Sequence, residues 1–326
     1  MKILFYGDGP WAQLSLIKIL DAEDIEVKGV ILRYSSQDPV LREIGESADI
    51  PVYVEKNVNS EKFVKFAKEL NLDLSISMSF DQIIKKELRE TSKNGFINCH
   101  AGKLPNFRGR NILNWALIND EKEIGITAHY IDDGIDTGDI ISQAVIPIEE
   151  KDTYNTLLKK THKKCPEVLL DAVYKIKENR ADVIKQSHIK GSYFSYRRNG
   201  DELIDWNWTS RKIHNFIRAL AEPSPGAQTY LNDEKIYIWE SEEQDYSKYI
   251  STPGEIIGRV EDGIIVKTGD TAIKIKKISN NIDEEKYIPS IPVGRRLGID
   301  LYKKIFELQN RIVELEEKLT DAENKK

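Results

Sequence analysis

Residues 2–20 read KILFYGDGPWAQLSLIKIL. Lys2–Tyr6 is a short apolar run, suited to one buried strand. Gly7–Pro10 breaks that run with two glycines and a proline. Trp11–Leu20 then repeats apolar residues at helical spacing. Strand, glycine turn and helix in that order open a parallel α/β sheet.

The same alternation continues downstream. Ile25–Arg33 and Leu72–Met78 read as strands, with Ser60–Leu70 as a helix between them whose stripe is Phe63, Phe66 and Leu70. Phe96–Cys99 is a further strand and Asn111–Ile118 a helix. Ile126–Ile131 and Ile140–Ile148 are strands, and Thr153–Lys177 is one long helix interrupted by Pro166. The expected fold class is α/β: a doubly wound, Rossmann-like, mostly parallel sheet over residues 1–190. After Gly191 the pattern changes. Trp206–Ala221 reads as a helix, followed by short strands at Gln228–Leu231, Lys235–Trp239, Gly254–Val260, Ile264–Thr268 and Thr271–Ile278. Asp262-Gly263 and Gly269-Asp270 sit between strands as hairpin turns. Residues 191–300 therefore predict a small antiparallel β-barrel-like domain. In residues 301–326, Leu301, Ile305, Leu308, Ile312, Leu315 and Leu319 alternate spacings of four and three, a coiled-coil seam. A helix docked on its own domain is the alternative.

The chain has 326 residues, a formal net charge of −6 and 31% charged residues. This composition is that of a soluble globular protein and gives no call for a nucleic-acid partner. Two cysteines, Cys99 and Cys165, cannot build a disulfide framework or a CxxC zinc site, which fits a reducing cytoplasm. No stretch approaches the ~20 apolar residues of a membrane span, and the first ten residues lack the run of a signal peptide.

Two places could carry chemistry. Gly7-Asp8-Gly9-Pro10-Trp11-Ala12 matches the GxGxxA dinucleotide fingerprint after a strand. An NAD site needs an acid at the end of the second strand, where Arg33 stands; an NADP 2′-phosphate could meet that arginine. Pro10 and Trp11, however, are bulky where backbone should approach a pyrophosphate, and Asp8 adds negative charge at a helix N-terminus. The second place is FINCHAGKLPNFRGRNILNW, Phe96–Trp115. Asn98 and His100 fall two apart at the C-terminal end of a strand, so they face one side, where open α/β sheets put ligands. An amide donor and an imidazole there offer an oxyanion contact and a proton acceptor. YIDDGIDTGDI, Tyr130–Ile140, adds four aspartates around two glycines. It lacks the bidentate glutamate of an EF-hand. A half-buried, satisfied histidine is the bland reading of His100.

Asn98-Cys99-His100, Leu104-Pro105-Asn106-Phe107-Arg108-Gly109 and Asp136-Thr137-Gly138 together resemble the folate-dependent formyltransferases, over about the first 190 residues. DELIDW, Asp201–Trp206, and FIRALAEPSPGAQTYL, Phe216–Leu231, resemble the start of the C-terminal domain shared by methionyl-tRNA and aminoarabinose-type sugar formyltransferases. The loop Arg108-Gly109-Arg110-Asn111-Ile112-Leu113-Asn114-Trp115 resembles the UDP-4-amino-4-deoxy-arabinose formyltransferase branch. Gly191–Asp300 carries 15 Lys+Arg against 18 Asp+Glu, whereas a domain gripping tRNA backbone should be basic.

The resemblance implies a sugar-nucleotide N-formyltransferase acting in surface-glycan biosynthesis. Methionyl-tRNA formyltransferase is the alternative and an NADP-dependent oxidoreductase a remote one. The implied co-substrate is N10-formyltetrahydrofolate, with no metal; the implied partner is a UDP-, dTDP- or GDP-linked amino sugar. Neither nucleic acid nor membrane is expected, and the enzyme should be a cytoplasmic homodimer. The implied catalytic residues are Asn98 as oxyanion donor, His100 as proton acceptor and Asp136 as the group that orients the imidazole. Phe80, Asp81, Gln82 and Ile83, with Asp132, Asp133 and Gly134 on the opposite wall, are the implied folate contacts. Arg108, Gly109, Arg110 and Asn114 are the implied sugar-nucleotide contacts, the two arginines for phosphate. Relatives imply a cis Leu104-Pro105 bond.

Overall fold

The computed structural model describes residues 1–186, 190–246, 248–299 and 301–323. Residues 187–189, 247, 300 and 324–326 of the expected domains lie outside the described residues. The chain divides into two compact units, residues 1–198 and 199–326. The division falls after Arg198 rather than at residue 190. The reason is visible in the first unit, where a two-residue strand at Tyr193–Phe194 pairs with Arg108–Gly109.

In chain order the first unit comprises β1 (Lys2–Gly7), α1 (Gly9–Leu20), β2 (Glu26–Leu32), α2 (Pro39–Ser47), β3 (Val52–Val54), α3 (Glu61–Glu69), β4 (Leu74–Met78), α4 (Lys86–Arg89), β5 (Phe96–His100), β6 (Arg108–Gly109), α5 (Ile112–Ile118), β7 (Glu123–Tyr130), β8 (Ile140–Pro147), α6 (Tyr154–Lys177) and β9 (Tyr193–Phe194). The large sheet has the order β3-β2-β1-β4-β5-β7-β8. Its first five strands are parallel. β7 runs antiparallel to β5, and β8 antiparallel to β7. Side chains alternate across the sheet. Leu4 and Tyr6 join Phe63, Ala67 and Phe96 in one buried cluster, while Ile3 and Phe5 are fully buried on the other face. Side-chain caps fix two helix starts: Ser60 accepts from the Phe63 amide at 3.2 Å, and Thr153 forms a capping box with Thr156. α6 passes through Pro166 unbroken, with Cys165, Val168 and Leu169 buried around it.

α2 and β3 carry no strong sequence signal. β3 is three half-buried residues at the sheet edge, too short for an alternating pattern.

The second unit holds α7 (Ser210–Ala219), β10 (Ala227–Leu231), β11 (Glu234–Gln244), β12 (Ile256–Val260), β13 (Gly263–Lys267), β14 (Ala272–Ser279) and α8 (Leu301–Glu323). α7 starts at Ser210, not Trp206; Trp206 is buried and donates its indole N–H to Thr229 at 3.0 Å. The strands form one antiparallel sheet, β10-β11-β14-β13-β12. Arg296 and Leu297 bridge Glu255 and Leu231 respectively, so a short strap links the two edges and gives the barrel-like closure. α8 presents Leu301, Ile305, Leu308, Ile312, Leu315 and Leu319 exposed.

Among the described residues no helix is long and apolar enough to cross a membrane.

Candidate active site

Period-two alternation along β5 sends Asn98 and His100 to the same side of the strand. β7 lies directly beside it in antiparallel register, with His129 opposite Asn98. The loop after β7 returns Asp136 to both. Its backbone is left-handed there (φ 54). Gly138 lies so close to the Tyr130 carbonyl that a Cβ could not be placed, which accounts for the glycine two residues after Asp136.

Four side chains meet at this point. The His100 Nε2 is 2.7 Å from the Phe107 carbonyl, so Nε2 carries the proton and donates. Its Nδ1 is left with a lone pair, 3.7 Å from Asp136 Oδ2. His129 is oriented the other way round: Nδ1–H donates to the Tyr130 carbonyl at 2.8 Å. Its Nε2 accepts from the Asn98 amide at 3.3 Å and lies 3.6 Å from Asp136 Oδ1. The Gly109 N–H donates to Asp136 Oδ2 at 2.9 Å. Gly109 itself has φ 103 and abuts the Phe194 carbonyl, so only glycine fits. The Leu104-Pro105 bond between these residues is cis.

The electrostatics follow from that packing. Burial works to raise the Asp136 carboxyl, but the adjoining His100 and His129 imidazoles and the donating Gly109 amide outweigh it and hold it well below the usual carboxylate range. Burial pushes His100 down, more strongly than Asp136 raises it. At neutral pH the pair is therefore a carboxylate beside a neutral imidazole whose basic nitrogen faces it. A proton arriving on His100 Nδ1 creates a cation next to a fixed anion. That arrangement suits a general base.

Two cavities open on either side. One, about 350 Å³, is lined by Phe80, Ile83, Ile84, Ile131 and the Asp132–Asp136 turn, among others. The other, about 550 Å³, is lined by residues that include Arg33, Arg110, Tyr154 and Tyr196. Asn98 and Asp136 line both, so this cluster of side chains stands where the two cavities join. Among the described residues no group of three or more His, Cys, Asp or Glu could hold a metal ion.

Residues 1–173 match the formyl transferase family, and residues 198–287 match the formyl transferase C-terminal domain. The chain belongs to the formyl transferase family. Its relatives are of two kinds. Bifunctional polymyxin resistance protein ArnA of Wigglesworthia glossinidia brevipalpis is 40% identical over 64% of this chain. That match spans about a third of the ArnA chain, 32%. Methionyl-tRNA formyltransferase of Clostridioides difficile is 33% identical over 85% of this chain and 92% of its own. The crystal structure of a Helicobacter canadensis N-formyltransferase, in complex with folinic acid and dTDP-3-aminofucose, superposes with a TM-score of 0.66 at 26% identity. The superposition covers 85% of this chain and 99% of that one.

Within this formyl transferase the expected site residues divide. Asn98, His100 and Asp136 converge, as the motif spacing implies. Phe80, Gln82, Ile83, Asp132, Asp133 and Gly134 line the smaller cavity. Gln82 spends its side chain elsewhere, accepting from the Val58 amide and donating to the Glu55 carbonyl, both at 3.0 Å. Asp132 caps its own turn, accepting from the Gly134 amide at 3.1 Å. Asp81 lines the larger cavity, while its neighbour Phe80 lines both. Arg108 is a correction. It lines neither cavity and is buried, donating to Gln186 at 2.7 Å and to the Tyr193 hydroxyl at 3.0 Å. Gly109, Arg110 and Asn114 do line the larger cavity.

Sequence reasoning missed His129, Tyr154 and Tyr196. His129 becomes visible only once β7 is known to run antiparallel to β5, because that register sets it opposite Asn98. At the GDGPWA turn the groups a pyrophosphate would need are engaged within the chain. The Asp38 carboxylate already accepts from the Gly9 amide at 2.8 Å, and Arg33 pairs with Asp8 at 3.0 Å.

Proposed function

We propose that this enzyme moves the formyl group of N10-formyltetrahydrofolate to the primary amine of a nucleotide-linked amino-deoxy sugar. The smaller cavity suits the donor. Phe80, Ile83, Ile84 and Ile131 give apolar walls for a flat ring, and the Asp132–Gly134 backbone gives polar edges. Lys85 and Lys86 on its lining suit the carboxylates of a folate tail. The bound donor supplies an activated formyl carbon.

The chain's own groups do the rest. Asn98 donates to the formyl oxygen as charge develops there, an effect worth about 3–4 kcal/mol in comparable oxyanion contacts. His100 Nδ1 takes the proton lost by the attacking amine and hands it to N10 as the bond between the formyl carbon and N10 breaks, so that tetrahydrofolate leaves neutral. Asp136 stabilises the imidazolium that results, and Gly109 holds Asp136 in place. His129 anchors Asn98 through its Nε2.

The observation that carries the sugar-nucleotide reading is the larger cavity. It meets the Asn98, His100 and Asp136 cluster, and Arg110, Tyr154 and Tyr196 line it. Guanidinium groups suit a diphosphate, and tyrosines suit a sugar and a base. The balance of 15 basic to 18 acidic residues in 191–300 argues against a tRNA-gripping surface. One observation favours methionyl-tRNA as acceptor instead: the near-full-length match to methionyl-tRNA formyltransferase. Surface-glycan biosynthesis, a cytoplasmic site and a homodimer belong to the sugar-nucleotide reading.

The test is direct. The enzyme is incubated with N10-formyltetrahydrofolate and, in separate reactions, UDP-, dTDP- and GDP-linked amino sugars and methionyl-tRNA. Mass spectrometry should find the formyl group on a nucleotide sugar. Formylation of methionyl-tRNA alone would replace this reading with the other.

A further inference from the structure

α8 carries an apolar face exposed along its whole length, at 50% or more for each of Leu301, Ile305, Leu308, Ile312, Leu315 and Leu319. The spacing assigns heptad positions without ambiguity. Ile305, Ile312 and Leu319 fall at a; Leu301, Leu308 and Leu315 fall at d. Two of the three a residues are β-branched and all three d residues are leucine, a pattern that favours two parallel strands over three or four.

The flanking charges decide the partner. The g positions are Lys304, Arg311 and Lys318, all basic. The e positions after the first heptad are Gln309, Glu316 and Glu323, two of them acidic and none basic. In a parallel, in-register pair, each g residue meets the e residue of the following heptad on the other helix. That sets Arg311 against Glu316 and Lys318 against Glu323 of a second copy, twice over by symmetry. An antiparallel pair would set g against g and e against e, so basic would meet basic and acid would meet acid. Within the chain Arg311 pairs with Glu314 at 2.8 Å, with both side chains more than half exposed. Such a pair contributes little and is readily exchanged.

We propose that α8 is a self-recognition element: a second copy of this chain pairs with it as a parallel, in-register two-stranded coiled coil. This deepens the homodimer reading above and rests on it. The e and g charges select a like copy in one orientation, and the a and d seam supplies the buried area. Neither cavity is lined by any residue of α8, so catalysis does not depend on the pairing.

Sedimentation equilibrium and turnover are measured on the full chain and on three variants. R311E/K318E makes e and g acidic together and should weaken the dimer at least tenfold, with turnover within twofold of the parent. Adding E316K and E323K to that chain reverses every pair and should restore the dimer. L315C should form a covalent dimer through its own d position under mild oxidation, which an antiparallel pair cannot do. A monomeric parent would overturn both this proposal and the homodimer reading, leaving α8 as a strap on its own chain. A dimer that survives R311E/K318E unchanged, or an L315C chain that does not cross-link, would overturn the coiled coil while keeping a dimer through another surface.

Discussion

Asp8 and Asp136 stand beside glycines at turns of the same unit, yet their surroundings drive them apart. Asp8 faces Arg33 at 3.0 Å. Burial, and the nearby Asp38 and Asp81, still raise its carboxyl despite that guanidinium. Asp136 sits between two imidazoles at 3.6 and 3.7 Å and is held low. A carboxylate beside a permanent cation is an anchor, since nothing about the pair changes during a reaction. A carboxylate facing the His100 imidazole, which burial pushes toward its neutral form, is poised, because the counter-charge on His100 appears only when a proton moves. In the sequence the two acids look alike; their partners separate a carboxylate fixed by an arginine from one set between two imidazoles.

The contrast can be broken at either end. The largest expected effect is on Asp136→Asn, which removes the anion but keeps the shape and an acceptor for the Gly109 amide. Turnover should fall on the order of 10³-fold, within the range of general acid–base contributions. Asn98→Ala should cost about 10²–10³-fold in kcat, with a smaller change in KM, because its contact strengthens as charge develops. Both are read from steady-state kinetics.

The pH dependence sharpens the same contrast. His100 is lowered from its ordinary value near 6.5, so its free base is present at neutral pH and is lost only as the pH falls below that. The folded form then binds fewer protons than the unfolded chain, and stability declines together with activity on the acid side. Asp136, held low, stays ionised through that window. kcat/KM should be flat above about pH 7 and should fall with a single protonation below 6.5.

Ligand binding gives a gentler test. Folinic acid should raise the melting temperature by mass action, adding about 2.7 kcal/mol of stability at a hundred times its Kd. NADP should raise it not at all, since the amide it would need already serves Asp38. The smallest effect belongs to Asp8→Asn: turnover within about threefold and stability within about 1 kcal/mol, as for partly exposed sites outside the catalytic cluster.

The parallel half of the sheet was legible because its strands are continuous apolar runs between helices. The antiparallel pair β7 and β8 was not, because direction leaves no trace in periodicity. His129 was lost with it, as its place depends on that register. Asn98, His100 and Asp136 were legible through motif spacing. Arg108 was misjudged because an arginine next to a glycine looks the same whether it meets phosphate or, as here, Gln186 and Tyr193.

The central claim is that Asp136 and His100 act as one unit. The measurement is a double-mutant cycle on single-turnover formyl transfer with Asp136→Asn, His100→Ala and the two together. Groups that share one proton lose their function once. The double variant should therefore be about as slow as the slower single variant. If the two losses multiply instead, the residues act independently, and the proton-transfer pair described here does not exist.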